Sequence, residues 1–419
     1  MLWITMWGMT PSPDRRITFF ARTTFRNRGT VFGIRQADRR AHMYLIGRTG
    51  TGKTTLLETL IRQDVLNGQG LALFDPHGDL VERLAAWVPD RRRDELIYLN
   101  VPDASLAFGF NPLARVPAAR RALAASGMLD VFKKIWADSW GPRLEHILRN
   151  ALHALLDQPE ATLADILRLL DDEAFRKRAA ERVANSQVRG FWLREYEGYP
   201  KTFRAEAVAP IQNKVGAFLA DPKLRAILTE ARVGLDLRAV MDGGRLLFVN
   251  LAKGRIGEDT ATLLGALLVS QLGIAALGRA DVPEEDRRDF FVYLDEFHAF
   301  TTLSLASMLS ELRKYRVGLV LGHQYLSQLD EQVRDAVLGN VGTLVCFRVG
   351  AADAEILEKE FYPEFRATDL VSLPNYQIYL RLMIDGRVSR PFSAETWSSD
   401  PLVSLTPASD PESESRWSS

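Results

Sequence analysis

Three things are scarce in this chain: cysteine, net charge and long apolar runs. One cysteine in 419 residues excludes a disulfide framework and a cysteine-built zinc cluster, which fits a cytoplasmic protein. That residue, Cys346, lies in the apolar stretch Gly342–Val349 and reads as a small buried hydrophobe rather than a reactive thiol. Lysine plus arginine equals aspartate plus glutamate at 53 each, so no global field attracts a polyanion. A nucleic-acid surface would have to come from local patches or from assembly. The apolar start Met1–Trp7 is far shorter than the roughly 20 residues of a membrane span and lacks the charged opening of a signal peptide. No intrinsic span is expected, so work at the inner face of a membrane would need recruitment by a partner. What remains, 47% apolar and 25% charged, is the composition of a globular chain of two or three domains.

The strongest motif is Gly47-Arg48-Thr49-Gly50-Thr51-Gly52-Lys53-Thr54, a complete phosphate-binding loop, with Thr55 extending it. It follows the apolar run His42–Ile46 and precedes a helical stretch over Thr54–Arg62. In that context the glycines let successive amides point at phosphate oxygens, and the helix adds its positive end. Lys53 is placed for the β and γ phosphates and Thr54 for Mg²⁺, so ATP with Mg²⁺ is the expected cofactor.

Strands at Gly70–Asp75 and Leu96–Val101 alternate with helices and point to a mainly parallel α/β sheet. From about Pro117 the spacing changes to three and four, as in Leu144, Leu148, Leu152 and Leu155. The α/β pattern resumes at Arg245–Asn250. The expected division is an N-terminal flap over 1–40, a motor domain over 41–114 and 235–395, an all-helical insertion over 115–234, and a disordered Ser-, Pro- and acid-rich tail over 396–419. Tyr376–Asp385 and Arg387–Phe392, around Gly386, read as a closing β-hairpin.

A second chemical signal is Phe290–Leu294 followed by Asp295 and Glu296, two carboxylates at the end of an apolar strand. Asp295 would hold the metal and Glu296 would polarise the attacking water, although both acids also suit a helix start. Gln324 ends the strand Val317–Gly322, where an amide can sense the γ phosphate or simply cap a turn. Arg313 lies in a charged run that reads equally as a solvated helix face.

These motifs together resemble the motor domain of the FtsK/HerA superfamily and, within it, the coupling ATPases of conjugative type IV secretion, the TraG/TraD group. Phe32–Arg40, Asp75–Asp79, Phe110–Leu113, Trp140–Arg143, Asn250–Arg255 and Leu312–Gln324 carry the likeness over nearly the whole chain. The resemblance implies a RecA-like ATPase that assembles as a hexameric ring, moves DNA, and works with secretion-system or relaxase-type proteins. It also implies an arginine acting in trans eleven residues before the strand-end glutamine, the spacing of Arg313 and Gln324 here. Asp75 matches a family acid near metal and nucleotide, while by physics alone it is equally a helix cap.

The family's N-terminal transmembrane helices have no counterpart in this sequence, and 1–40 is too short for the β-barrel of other members. Arg91–Arg93, Lys133–Lys134 and Arg176–Arg178 are candidate DNA contacts that read more readily as solvated charge, and Phe191–Tyr199 as core packing rather than base stacking. His77 and His298 lack partners at ligand spacing, so no zinc is assigned. The competing reading of the whole is a nucleotide-switched module that recruits a protein through the helical insertion. A phosphotransferase on the same loop suits Glu296 less well.

Overall fold

A computed structural model describes residues 13–24, 29–103, 108–229 and 233–397. The expected disordered tail, from 398 on, lies outside the described residues, and Thr396 still belongs to the last strand. The fold is α/β, with two compact units formed by interleaved stretches of chain: 1–67, 322–327 and 341–419 in one, 68–321 and 328–340 in the other.

The first unit contains β1 (Ile17–Thr23), β2 (Val31–Arg35) and β3 (Met43–Ile46). The second contributes β4 (Gly70–Asp75), β5 (Leu96–Asn100), the short β6 (Phe108–Gly109) and β7 (Val233–Gly234), β8 (Leu246–Asn250), β9 (Phe290–Leu294) and β10 (Val317–His323). The chain returns to the first unit at Gly322, and β11 (Thr343–Cys346), β12 (Gln377–Arg381), β13 (Met383–Ile384), β14 (Arg387–Val388) and β15 (Phe392–Thr396) complete that unit.

In the first unit the strand order is β2-β1-β15-β12-β11-β3. Only β11 and β3 run parallel; the other neighbours are antiparallel. β1 and β2 therefore pair into the sheet. The closing hairpin pattern resolves into an outer pair, β12 with β15, and an inner two-residue pair, β13 with β14, turning at Asp385-Gly386. The helix Lys53–Leu66 that follows the phosphate loop is locked to this sheet by buried polar groups. Arg39 donates to both oxygens of Asp64 at 2.5 and 2.8 Å and to the Thr18 hydroxyl at 3.1 Å, all three side chains being buried. Gln63 completes the backbone pairing of Phe19, accepting from its amide at 2.9 Å and donating to its carbonyl at 2.6 Å.

In the second unit the order is β10-β9-β4-β8-β5, every pair parallel. β4, β8, β9 and β10 are buried at every residue, which is why their sequences are unbroken apolar runs rather than alternations. Between β6 and β7 every described element is helical, from Ala118 to Thr229. The helix Glu258–Gly278 is long and apolar enough to span a membrane, but 83% of its apolar window is buried inside the protein, and it serves as a core helix.

Candidate nucleotide site

The phosphate loop sits at the end of β3, between that strand and the helix Lys53–Leu66. Gly52 takes φ of 120°, a conformation closed to other residues, and a Cβ there would meet the Tyr376 ring at 2.9 Å. The loop is pinned from three sides. Gly47 N–H donates to His323 O at 3.2 Å, Arg48 N–H to Arg348 O at 2.9 Å, and Tyr376 N–H to Thr51 O at 2.8 Å. Lys53 folds back on the loop, donating to the carbonyls of Gly47 at 2.5 Å and Arg48 at 3.1 Å. Its ammonium is thus held at the mouth of the loop, beside the helix-start amides that have no intrahelical acceptor. Thr54 and Thr49 are exposed, and Thr55 is half-buried.

Gln324 joins this loop directly, its side-chain oxygen accepting from the Thr49 hydroxyl at 3.0 Å. The strand end that carries it is tied into the core, where His323 is fully buried and its Nδ1 lies 2.9 Å from the Tyr44 hydroxyl. Of the expected site residues in the first unit, the structure therefore brings Gln324 against the phosphate loop.

The second unit holds Asp75, Asp295, Glu296 and Arg313. Parallel pairing in register sets Phe74 opposite Leu294 and Asp75 opposite Asn250, so Asp295, Asp75, Asn250 and Asn100 end successive strands at one carboxyl edge. The backbone agrees, since Asp295 N–H donates to Phe74 O at 3.2 Å. Glu296 turns the chain off the strand with φ 49° and ψ 51°, a left-handed conformation rare for glutamate. Both acids are only 6% exposed. His298 Nδ1 lies 3.5 Å from the Glu296 carboxylate. Burial first, then the charges of Lys134 and Lys253, pulls the His298 pKa down to about 4, so the ring is neutral near pH 7 and gives Glu296 no cation.

Asp75 is spent on the backbone: Oδ1 accepts from His77 N–H at 2.9 Å, and Oδ2 accepts from Leu80 and Val81 N–H at 2.9 and 3.0 Å. This is the capping alternative for that acid. Asn250, within the Asn250–Arg255 stretch, is fully buried at the neighbouring strand end. Its side-chain oxygen accepts from Ala252 N–H, and its amide reaches Glu82 and Asn100, fixing the loop after β8. An asparagine closing an apolar strand was the available signal.

Arg313 begins a short 3-10 turn after the helix Leu303–Leu312, is exposed, and has no side-chain partner among the described residues. Of the basic candidate DNA contacts, Arg92 and Arg176 are structural, and Arg91, Arg93, Lys133, Lys134, Lys177 and Arg178 are exposed. Arg92 is buried and donates to the carbonyls of Gln69 and Gly244. Arg176 is buried against Glu197 and the carbonyls of Leu169 and Leu170. Phe191, Trp192 and Tyr196 pack on one another inside the helical segment, with Trp192 Nε1 donating to Asn150 O and the Tyr196 hydroxyl to Leu170 O. They are core, not a stacking platform.

A family model described as the type IV secretion-system coupling protein DNA-binding domain matches residues 27–199 and 240–360. No curated protein matches the chain. Among solved structures, the bacterial conjugative coupling protein TrwBΔN70, unbound, is 17% identical over 88% of this chain and 87% of its own, with a TM-score of 0.60. The plasmid coupling protein TrwB in complex with ADP and Mg²⁺ is 18% identical over 88% and 87%, with a TM-score of 0.61. VirB4 of Thermoanaerobacter pseudethanolicus is 13% identical over 94% and 99%, with a TM-score of 0.59. At these identities the three share the fold, and the RecA-like α/β architecture expected from the motifs is the one they have. The family model covers well over half of the chain, which therefore belongs to the type IV secretion-system coupling protein DNA-binding domain family.

Proposed function

We propose that this protein is the motor of a DNA-transfer coupling apparatus, an ATPase that hydrolyses ATP to move DNA. The observation that carries the reading is the buried Asp295-Glu296 pair at the carboxyl end of a parallel strand, in a chain that also holds a complete phosphate loop with Gln324 hydrogen-bonded to it. Resemblance to a coupling protein solved with ADP and Mg²⁺ supports the same ligands here. The loop suits a polyphosphate, having a helix start, an exposed Thr54 hydroxyl and a lysine already held at its mouth. Bound ATP with Mg²⁺ supplies the phosphoanhydride bond and the cation that offsets its charge.

The chain's own residues do the rest. Lys53 leaves the Gly47 and Arg48 carbonyls to neutralise the β and γ oxygens, while the first-turn amides orient them. By the resemblance, the Thr54 hydroxyl and the Asp295 carboxylate would supply oxygen ligands to the metal. Glu296 accepts a proton from water attacking the γ phosphorus. Gln324, held through Thr49, reports whether the γ phosphate is present. Arg313, exposed and uncommitted, is offered to the γ phosphate of a neighbouring subunit in a ring, a homo-hexamer by the resemblance, where such a guanidinium is worth about 10³–10⁵ in turnover.

In this reading 41–114 with 235–395 forms the motor, and 115–234 is an inserted domain that meets DNA or a secretion-system or relaxase-type protein. The work is done on the cytoplasmic side of the membrane. Steady-state ATP hydrolysis, measured at several protein concentrations with and without single- and double-stranded DNA and with Glu296→Gln as the blank, tests it. Turnover that rises with concentration and with one form of DNA, and vanishes in the blank, is expected. Turnover indifferent to both would overturn the translocase and leave a nucleotide-switched recruitment module.

A further inference from the structure

The helix Arg121–Ile135 of the helical segment lays a stripe of contacts on the elements around Glu296. Gly127 comes first: a Cβ there would lie 2.5 Å from the Ser270 hydroxyl, so this helix approaches the core helix Glu258–Gly278 closely. Three residues on, Asp130 accepts a hydrogen bond from the Ser304 hydroxyl. Four further, Lys134 donates to His298 O and, at 2.8 Å, to Thr301 O. Positions 127, 130 and 134 share one helix face. Two of the three grip the segment 298–304, which begins two residues after Glu296.

Lys134 is exposed as a residue, yet its ammonium is crowded against the carbonyls of His298 and Thr301. That crowding lowers its pKa to about 8, partly offset by Asp330, so it remains a cation near pH 7. A compact ammonium with several rotatable donors can bridge two carbonyls three residues apart. The same helix is anchored in the helical segment at its C-terminal end, on either side of Lys134, where Phe132 stacks on Trp136 at 4.7 Å and Trp136 on Phe218 at 5.9 Å. Glu296 is in a left-handed conformation, which persists only where the surroundings impose it.

We infer that Lys134 is a positioning residue for hydrolysis, holding the backbone that presents Glu296 and so tying the water-activating carboxylate to the helical segment. The inference rests on the role assigned to Glu296 above. Displacement of the segment by whatever it binds would then reach the catalytic acid through one side chain. Lys133, the exposed neighbour, takes no part.

Lys134→Met keeps the stem and removes the ammonium. With the full chain, kcat for ATP should fall about tenfold or more, while KM and the Kd of a fluorescent ADP analogue stay within about twofold. Amide hydrogen exchange across 297–302 should rise, with exchange in the phosphate-loop helix unchanged. A kcat within about twofold of wild type, or a loss of nucleotide binding in proportion to kcat, would overturn the inference. If the methionine variant does not fold, Lys134→Gln makes the same comparison. Should the wild type show no hydrolysis, the role of Glu296 fails separately, and exchange decides the clamp: faster exchange across 297–302 in Lys134→Met supports it, and unaltered exchange overturns it.

Discussion

Asp75→Ala separates two roles for one acid. The carboxylate is 1% exposed and ends three backbone amides: His77 in the turn after β4, and Leu80 and Val81 in the first turn of the helix Asp79–Trp87. A hydrogen bond to a charged group contributes about 1.5–3 kcal/mol net. His77 is exposed, so water can replace its bond, whereas Leu80 and Val81 are buried. Removing the carboxylate should therefore cost about 3–5 kcal/mol, the two buried amides supplying most of it. At roughly 2–4 °C per kcal/mol for a large domain, Tm should drop by about 6–20 °C. Asp75→Asn keeps one acceptor oxygen for Leu80 and Val81 but turns its NH₂ against the His77 amide, at a cost of about 1–3 kcal/mol. Urea unfolding followed by tryptophan fluorescence should rank wild type above Asn and Asn above Ala. Titration calorimetry with ADP, with and without Mg²⁺, should show Kd moving by less than about threefold in Asn. An alanine variant with the wild-type midpoint that loses Mg²⁺-dependent binding more than about tenfold would refute the capping argument and make Asp75 a ligand.

Lys53→Ala should reduce turnover to below about 1% while keeping the far-UV circular dichroism of the wild type; retained hydrolysis would sink the site assignment. Gln324→Ala removes the acceptor for Thr49 and should lower kcat about tenfold with nucleotide Kd little changed, as read by stopped-flow binding beside steady-state rates. Asp353, 6% exposed and accepting from Leu326 N–H at 3.1 Å, has its pKa raised by burial, partly offset by that amide and by Arg48. A raised folded pKa means a contribution present below the unfolded carboxylate pKa and lost as pH rises through the folded value. Relative to wild type, Asp353→Asn should therefore gain stability as pH rises above the unfolded carboxylate pKa of about 4; a stability difference that stays flat with pH would contradict this. Cys346, fully buried, with its thiol pKa pushed up by burial and then by Asp353, should resist a thiol reagent in the native protein and react fully in urea.

The parallel strands of the second unit were legible because both faces are covered, so burial wrote itself into the sequence as Leu71–Phe74, Leu246–Val249, Phe290–Leu294 and Val317–Leu321. Pairing was less legible. β1 and β2 carry short polar-flanked patterns that read as a flap, and what makes them sheet is remote: Gln63 satisfying Phe19, Arg39 reaching Thr18 and Asp64, and β15 pairing along β1. Single residues within the charge runs departed from the solvated reading in the same way. Arg92 and Arg176 look solvated in sequence because arginine usually is, yet each finds carbonyl acceptors from distant turns and becomes structural.

The site divides along the same line. Residues whose chemistry depends on local backbone, Lys53 at a helix start and Asp295-Glu296 at a strand end, could be named from spacing alone, since the element that positions them is encoded beside them. Contacts that cross the fold could not. Thr49 meeting Gln324 joins positions 275 apart in sequence, and Lys134 meeting His298 and Thr301 joins positions 164 and 167 apart. Lys133-Lys134 is a pair of identical letters in which one is a solvated charge and the other a bridge to the segment after Glu296. The difference lies only in which face of the helix each occupies. That face also carries Gly127 and Asp130, so the sequence did contain a stripe, but its partners at Ser270, His298, Thr301 and Ser304 lie more than 130 positions along the chain and could be seen only once the helix was laid against them.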